Sequence, residues 1–313
     1  MGRRDLIAIA SSDWHYHNWK QFNENGERLT VTKKVILKLF EEAHLKKVPI
    51  LFSGDLFHTP DGLSDEVFYN VMDFFKGLQD LFNDVRVLGI SGNHDGKISM
   101  YKAISRVFDN FICIDNGVEY INNIPIIGIP YIKRNKGLVD KIEKAKEFGG
   151  GILLLHTELY GAPDPSGYTV EPQNLPRNLN ALFKAFDLVL SGHIHKHTRV
   201  CDNVYMVGAP NQQRKSDAGC KMGYLKIYSD FSVKFVDLGM PEFKYYNEGE
   251  KRENTDDFWI EIPKPKKLKK SSEASFKPNM DKTKMAKKYA NETGIKSPKK
   301  VNALIKILNK TEE

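Results

Sequence analysis

The chain has 313 residues, 41% hydrophobic and 28% charged, with a formal net charge of +7. That suits one large globular domain with an appendage, or two modest domains. No apolar run nears the roughly 20 residues of a bilayer span, the apolar stretch near the start is too short for a signal peptide, and Cys113, Cys201 and Cys220 are far apart with no CxxC pair. Membrane, secreted and disulfide-framed readings are therefore disfavoured, and a reducing, cytoplasmic location is expected.

The charge is uneven. Residues 263–313 hold 15 Lys/Arg and 5 Asp/Glu, a net +10, which leaves 32 basic and 35 acidic residues, a net −3, for the rest. A mildly acidic body suits a site that gathers cations. A basic tail suits a polyanion or an acidic protein surface.

In chain order, short apolar runs alternate with helix-period segments. Leu6–Ala10, Val48–Phe52, Val85–Ile90, Ile152–Leu155 and Leu188–Leu190 read as buried strands. Thr32–His44, apolar at Val35, Ile36, Leu39 and Phe40, and Ser64–Phe82, apolar at Val67, Val71, Phe74, Phe75 and Leu78, read as helices between the first three. This alternation predicts an α/β protein with a largely parallel centre. After Ser191 the texture changes. Val204–Val207, Tyr224–Tyr228 and Ser232–Val236 are short runs joined by turn residues, which predicts antiparallel pairing within a pair of sheets flanked by helices. Near Met240–Glu250 the pattern breaks, and Asp257–Ile262 reads as one more strand. Pro263–Ser272 reads as an exposed basic linker. Lys282–Asn291 and Pro298–Asn309 read as short helices, the second with a narrow apolar stripe at Val301, Leu304, Ile305 and Leu308 that needs a surface to pack on. The expected division is 1–243 for the main domain, 244–262 for a short following segment and 263–313 for a basic linker and helical tail.

The nine histidines are not scattered. Asp13-Trp14-His15 follows the first strand, and Gly54-Asp55 with His58 follows the second. Gly92-Asn93-His94-Asp95 follows the third, His156 the fourth, and Gly192-His193-Ile194-His195 the fifth. Sites in α/β folds assemble at the carboxyl ends of strands, and glycines there permit sharp turns and close approach. Asp, Asn and His without cysteine suit Mn, Fe or Zn, and Mg or Ca less well. The inventory is enough for two divalent ions, with one carboxylate between them to offset their repulsion. Such a pair can activate a water and clamp a phosphate. Each element alone has a bland reading: DxH is common by chance, GD is an ordinary turn, and a lone His is more often a surface or core residue. Their conjunction at five strand ends carries the argument. His44, beside Lys46 and Lys47, reads as a solvated helix residue. His17 and His197 fall outside the pattern and read at most as outer or phosphate-facing groups.

The ordered set D-x-H, G-D, G-N-H-D, H and G-H-x-H resembles the calcineurin-like metallophosphoesterases. The resemblance implies a metallophosphoesterase-type two-sheet β-sandwich flanked by helices. It also implies two divalent ions, most readily Mn²⁺, with Fe, Zn or Mg as alternatives. One ion would be held by Asp13, His15, Asp55 and His195, the other by Asp55, Asn93, His156 and His193, with Asp55 bridging. His94 would be a non-ligand acid or charge stabiliser over the phosphate, with Asp95 orienting it. The stretch Gly54-Asp55-Leu56-Phe57-His58 is similar to the SbcD-type nuclease branch, in which a histidine three residues after the bridging Asp orients a nucleic acid phosphate. Gly208-Ala209-Pro210 and Gly223-Tyr224 resemble the same branch. That implies a DNA exonuclease or endonuclease in repair or recombination, with an SMC-like coiled-coil ATPase partner docked through 282–309, or a homodimer. Residues 244–262 would then be a vestigial cap. A phosphodiesterase on nucleotides or other small phosphate esters is the alternative, and a non-catalytic DNA- or partner-binding scaffold is a third reading that the intact ligand set disfavours.

Overall fold

The computed structural model describes residues 4–262 except 20–26, 59–63, 97–99, 134, 164–165, 170, 172–176 and 252–254. The linker and the two tail helices expected beyond Ile262 lie outside the described residues. The chain first forms β1 (Leu6–Ser11), α1 (Glu27–Lys46), β2 (Ile50–Phe52), α2 (Asp65–Leu81), β3 (Val87–Gly89), α3 (Met100–Ile104) and β4 (Phe111–Cys113). β1 to β4 lie side by side and parallel. A second run follows: β5 (Val118–Ile121), β6 (Ile124–Ile129), α4 (Asn135–Ala145), β7 (Ile152–His156), α5 (Leu179–Phe183), β8 (Leu188–Gly192), β9 (Thr198–Cys201) and β10 (Val204–Met206). β6, β7, β8 and β10 are parallel, with β5 and β9 as antiparallel edges. β11 (Gly223–Tyr228) then returns to the first sheet, antiparallel to β1, and β12 (Val233–Asp237) pairs outside it. The sheets are ordered β12-β11-β1-β2-β3-β4 and β5-β6-β7-β8-β10-β9.

Strand alternation sorts the core into layers. Ala8, Ala10, Leu51 and Leu88 of the first sheet meet Ile152, Leu154, Leu188 and Leu190 of the second in one cluster. The intervening Ile9, Ile50, Phe52 and Val87 pack outward with Val35, Ile36, Leu39 and Phe40 of α1 and Val67, Val71, Phe75 and Leu78 of α2. On the far side Leu153, Leu155 and Val189 pack with Leu138 and Ile142 of α4 and with Leu182 and Phe183 of α5. Both faces of the central strands are covered, which is why they read as unbroken apolar runs. The mixed α/β class, with two sheets flanked by helices, is the expected one. α2 starts where Ser64 accepts a hydrogen bond from Val67 N, with Asp65 and Glu66 in its first turn, both favourable at a helix N-terminus.

Three features depart from the sequence reading. β4, β5, β6, α3 and α4 fall in a stretch where no element is marked; β4, β5 and α3 are only three to five residues long, too short for a clear periodic signal. β11 and β12 pair antiparallel as expected, but β10 joins the other sheet, antiparallel to β9, a strand the sequence reading does not mark, and parallel to β8. Where the pattern near Met240–Glu250 reads as broken there is a strand, β13 (Phe243–Asn247), paired in parallel with β14 (Phe258–Ile262), the expected last strand. The signal is weak because, among the described side chains of this pair, only Phe243, Phe258 and Ile260 are buried, against the core shared by α1 and α2. The Phe243 amide donates to Gln212 Oε1 at 2.5 Å, and residues 1–262 form one compact unit. No helix among the described residues is long and apolar enough to cross a membrane.

Candidate dinuclear metal centre

The motif residues sit where β1, β2, β3, β7 and β8 end, at the carboxyl edge of both sheets. The loops after β1 and β2 run side by side: Asp13 N donates to Gly54 O at 2.9 Å, His15 N to Asp55 O at 3.1 Å and Tyr16 N to Leu56 O at 2.8 Å. Asp13, His15, Asp55 and His193 all have left-handed backbone, with φ of 54°, 44°, 60° and 92°. Such conformations cost about 1–3 kcal/mol each outside glycine and gather at functional sites, where the surrounding structure enforces them. Gly92 and Gly192 serve close approach: a Cβ on Gly92 would collide with Asp55 Oδ1, and one on Gly192 with Ser12 Oγ and Ser53 O.

Two donor groups converge. Asp13, His15 and His195 form one; Asp55, His156 and His193 form the other. In the first, His15 Nε2 lies 3.2 Å from His195 Nε2 and 3.7 Å from Asp13 Oδ1. In the second, Asn93 Oδ1 lies 3.0 Å from His156 Nε2 and 2.7 Å from His193 Nδ1. Asp55 joins them through one oxygen. Its Oδ2 is 3.7 Å from His15 Nε2 and 3.3 Å from His156 Nε2, while its Oδ1 accepts the His94 amide at 2.8 Å. All seven expected ligand residues are thus brought to one place, with donor atoms facing inward. Buried carboxylates and imidazoles pointed at one another are a fit for two divalent cations, which would take Asp13, His15 and His195 on one side, Asn93, His156 and His193 on the other, and Asp55 between.

Outer partners fix the imidazoles. His195 Nδ1 meets the buried carboxylate of Asp217 at 3.0 Å, and Asp217 also accepts from the amides of Gln213 and Arg214. His156 Nδ1 donates to Ser53 O at 2.6 Å. His193 Nε2 faces Glu158 at 3.4 Å, leaving Nδ1 inward. Ser12 Oγ donates to Asp13 Oδ2 at 2.5 Å. Each contact leaves one ring nitrogen, or one carboxylate oxygen, for a metal, which is what such partners do in metal sites. Asp217, Ser53 and Glu158 escape the sequence reading, since none lies in a motif. Burial keeps His15 well below the ordinary histidine range, hence neutral. Burial alone would lower His156 too, but the Asp55 carboxylate outweighs it and holds the ring up at about 9. Burial would raise the Asp55 carboxyl, and His156 and His15 reverse that and hold it below its usual range.

His94 and His58 stand beside the first group. Their rings are stacked, 5.2 Å apart at 12°, and His94 Nδ1 donates to His58 O at 2.5 Å. Asp95 is expected to orient His94. Its carboxylate accepts the amides of Gly92, Asp55, Leu56 and Phe57 at 2.7–3.1 Å, stapling the loop after β2 to the loop after β3, which carries His94. His15, His58 and His94 also lie close enough to hold an ion. A neutral imidazole has one lone pair, however, and His15 directs Nε2 to the first group, so its Nδ1 carries a proton toward His58 Nδ1, 3.4 Å away. Burial, then His94, lowers His58 to about 4, so it can accept that proton. His17 neighbours His58 at 5.2 Å. His197 is structural: it stacks on Phe235 at 4.8 Å, with Nδ1 on Met206 O. His44 pairs with Asp84 on the surface.

Residues 9–197 match the family described as calcineurin-like phosphoesterase, and the chain belongs to that family of metal-dependent hydrolases. Among solved structures it is similar to a dimetal phosphatase from Danio rerio, with 10% identity over 72% of this chain and 93% of that one and a TM-score of 0.49. It is also similar to the nuclease MPE of Pseudomonas putida, with 12% identity over 73% of this chain and 87% of that one and a TM-score of 0.31.

Proposed function

We propose that the chain is a DNA nuclease, with exonuclease or endonuclease action, that hydrolyses phosphodiester bonds at this centre with two manganese ions. The observation that carries the reading is the placement of His58 and His94, two stacked histidines outside both donor groups yet beside His15 of the first. When bound, the ion pair supplies Lewis acidity for water and phosphate. His94, with Nδ1 committed to a carbonyl, has Nε2 free to hold a proton for the leaving oxygen. Neutral His58, with Nδ1 accepting, has an Nε2–H to donate to a phosphate oxygen, and Arg28 and Arg214 lie within electrostatic reach of it. Asp13, Asp55 and the imidazoles hold and orient the charge that these groups work against.

The basic stretch 263–313, outside the described residues, supports a polyanionic substrate through its net +10. Its stripe at Val301, Leu304, Ile305 and Leu308 supports docking of an SMC-like ATPase subunit through 282–309, or of a second copy. Role in repair or recombination and a cytoplasmic setting belong to the same proposal; the three free cysteines fit the latter. The test compares supercoiled plasmid, linear duplex and a chromogenic phosphodiester, each with Mn²⁺ and with EDTA. Manganese-dependent cleavage of plasmid or duplex is expected. Turnover of the small ester alone would replace this reading with a phosphodiesterase acting on nucleotides or other small phosphate esters.

A further inference from the structure

We propose that Arg28 is a positioning residue for the first donor group: its guanidinium holds the Gln213–Arg214 peptide, and through it the Asp217 carboxylate behind His195. Arg28 lies in the first turn of α1, 185 positions from Gln213, and belongs to none of the strand-end motifs. Its Nη2 donates to Gln213 O at 2.6 Å. The N–H of that same peptide unit is the Arg214 amide, which donates to Asp217 Oδ2 at 2.9 Å. The same oxygen takes the Gln213 amide at 2.8 Å and faces His195 Nδ1 at 3.0 Å. A peptide unit is planar and rigid, so fixing its oxygen fixes the direction of its N–H. A hydrogen bond from a cation to that oxygen also polarises the unit and strengthens the bond that its N–H gives.

Every member of this chain of contacts is out of water. Arg28 is 5% exposed, Gln213 2%, Asp217 0% and His195 3%. Three aromatic rings hold the guanidinium: its carbon lies 4.0 Å from the Trp19 centroid, 5.4 Å from that of Phe243 and 5.8 Å from that of Phe258. Burial lowers Arg28 to about 10, with the Asp217 charge acting against it, so the group is a cation at neutral pH. Asp217 Oδ2 already accepts two amide hydrogens and has none to give, so the His195 hydrogen sits on Nδ1 and its Nε2 keeps a lone pair. β13 braces the same turn, with the Phe243 amide on Gln212 Oε1 at 2.5 Å and the Tyr245 hydroxyl on Lys215 O at 3.3 Å. Without the guanidinium the Gln213–Arg214 peptide is free to tilt, and Asp217 loses the aim of one of its donors.

The inference concerns the metal centre and holds whatever the substrate is, so its test needs no turnover. Titration of the full chain with Zn²⁺, followed by the imidazole ¹⁵N NMR signals of His195 and His156, reads the two sites separately. In Arg28→Met, which keeps a long side chain and loses the donor, the His195 site should weaken about 10–100-fold and the His156 site less than about threefold, in line with the loss of an outer partner on one side only. Arg28→Lys, which restores a cationic donor, should bind between Arg28→Met and wild type. In the metal-free protein the Arg214 amide should exchange with solvent about tenfold faster in Arg28→Met, the size of one weakened hydrogen bond. Equal weakening of both sites, or a His195 site as tight as in wild type, overturns the proposal. Should Arg28→Met not fold, Arg28→Gln takes its place with the same one-sided loss expected. If the wild type binds no metal, the dinuclear reading fails and the amide exchange still decides this one: unchanged protection of Arg214 overturns it.

Discussion

The two donor groups share Asp55 but are walled differently. Asp13, His15 and His195 are at most 3% exposed, and the two imidazoles are backed by the His58 ring and the buried Asp217 carboxylate. On the other side His156 is buried against a backbone carbonyl, while the His193 side chain is 24% exposed and leans on Glu158, itself 45% exposed. A buried carboxylate behind a ligand raises its basicity and holds its orientation, whereas an exposed one is screened by water and salt. An ion held by Asp13, His15 and His195 would sit in a dry, charge-backed pocket, and one held by Asn93, His156 and His193 would lie nearer solvent.

The largest expected effect abolishes the comparison altogether. Asp55→Asn removes the shared oxygen charge, and activity should fall below detection with loss of both ions by elemental analysis. Two Mn²⁺ ions bound at wild-type affinity in calorimetry would show that Asp55 bridges nothing. Next comes His94→Ala, which removes a side chain that belongs to neither donor group. It should keep both ions and lose roughly 10²–10⁴-fold in turnover, the range for a missing general acid; metal loss would make His94 a ligand.

The outer partners sharpen the contrast. Asp217→Asn should weaken the first site or its activity by about 10–100-fold, while Glu158→Gln should change the second by less than about threefold, since exposed pairs contribute little. Equal effects, read by metal titration of the two variants, would erase the distinction between the two sides.

The smallest effect separates the groups by pH. Neutral His15 has no proton to release, but the metal-free His156 imidazolium, held up at about 9 by Asp55 against its burial, must lose one to become a ligand. Affinity of the second site should therefore rise by about tenfold per pH unit up to about 9 and level off above it, with proton release on binding. The same raised value stabilises the metal-free fold fully below about 6.5, and that contribution disappears as the pH climbs through about 9. Calorimetry in two buffers of different ionisation enthalpy measures the release; none at pH 7 would mean that His156 is already neutral.

The sequence by itself determined the strand-end groups. Each metal-facing residue lies within a few positions of an apolar run, often beside a glycine, so its placement is a local property of how a buried strand stops. The central strands were legible for the same reason: coverage on both faces turns them into unbroken Val/Ile/Leu runs. The edge elements β4, β5, β9 and β13 were not, because a half-covered strand of three to five residues leaves little pattern. Tertiary structure alone decided which partner stands behind each ligand. Ser53 reaches His156 across 103 positions of chain and Asp217 reaches His195 across 22, and no spacing rule joins them. It also decided which donors Asp95 takes, since four amides from two loops meet there. Arg28, in the first turn of α1, meets Trp19 from the loop after β1, and their sequence spacing does not foretell it. Polar and aromatic contacts of that kind depend on where distant loops cross, and a linear pattern carries no record of the crossing.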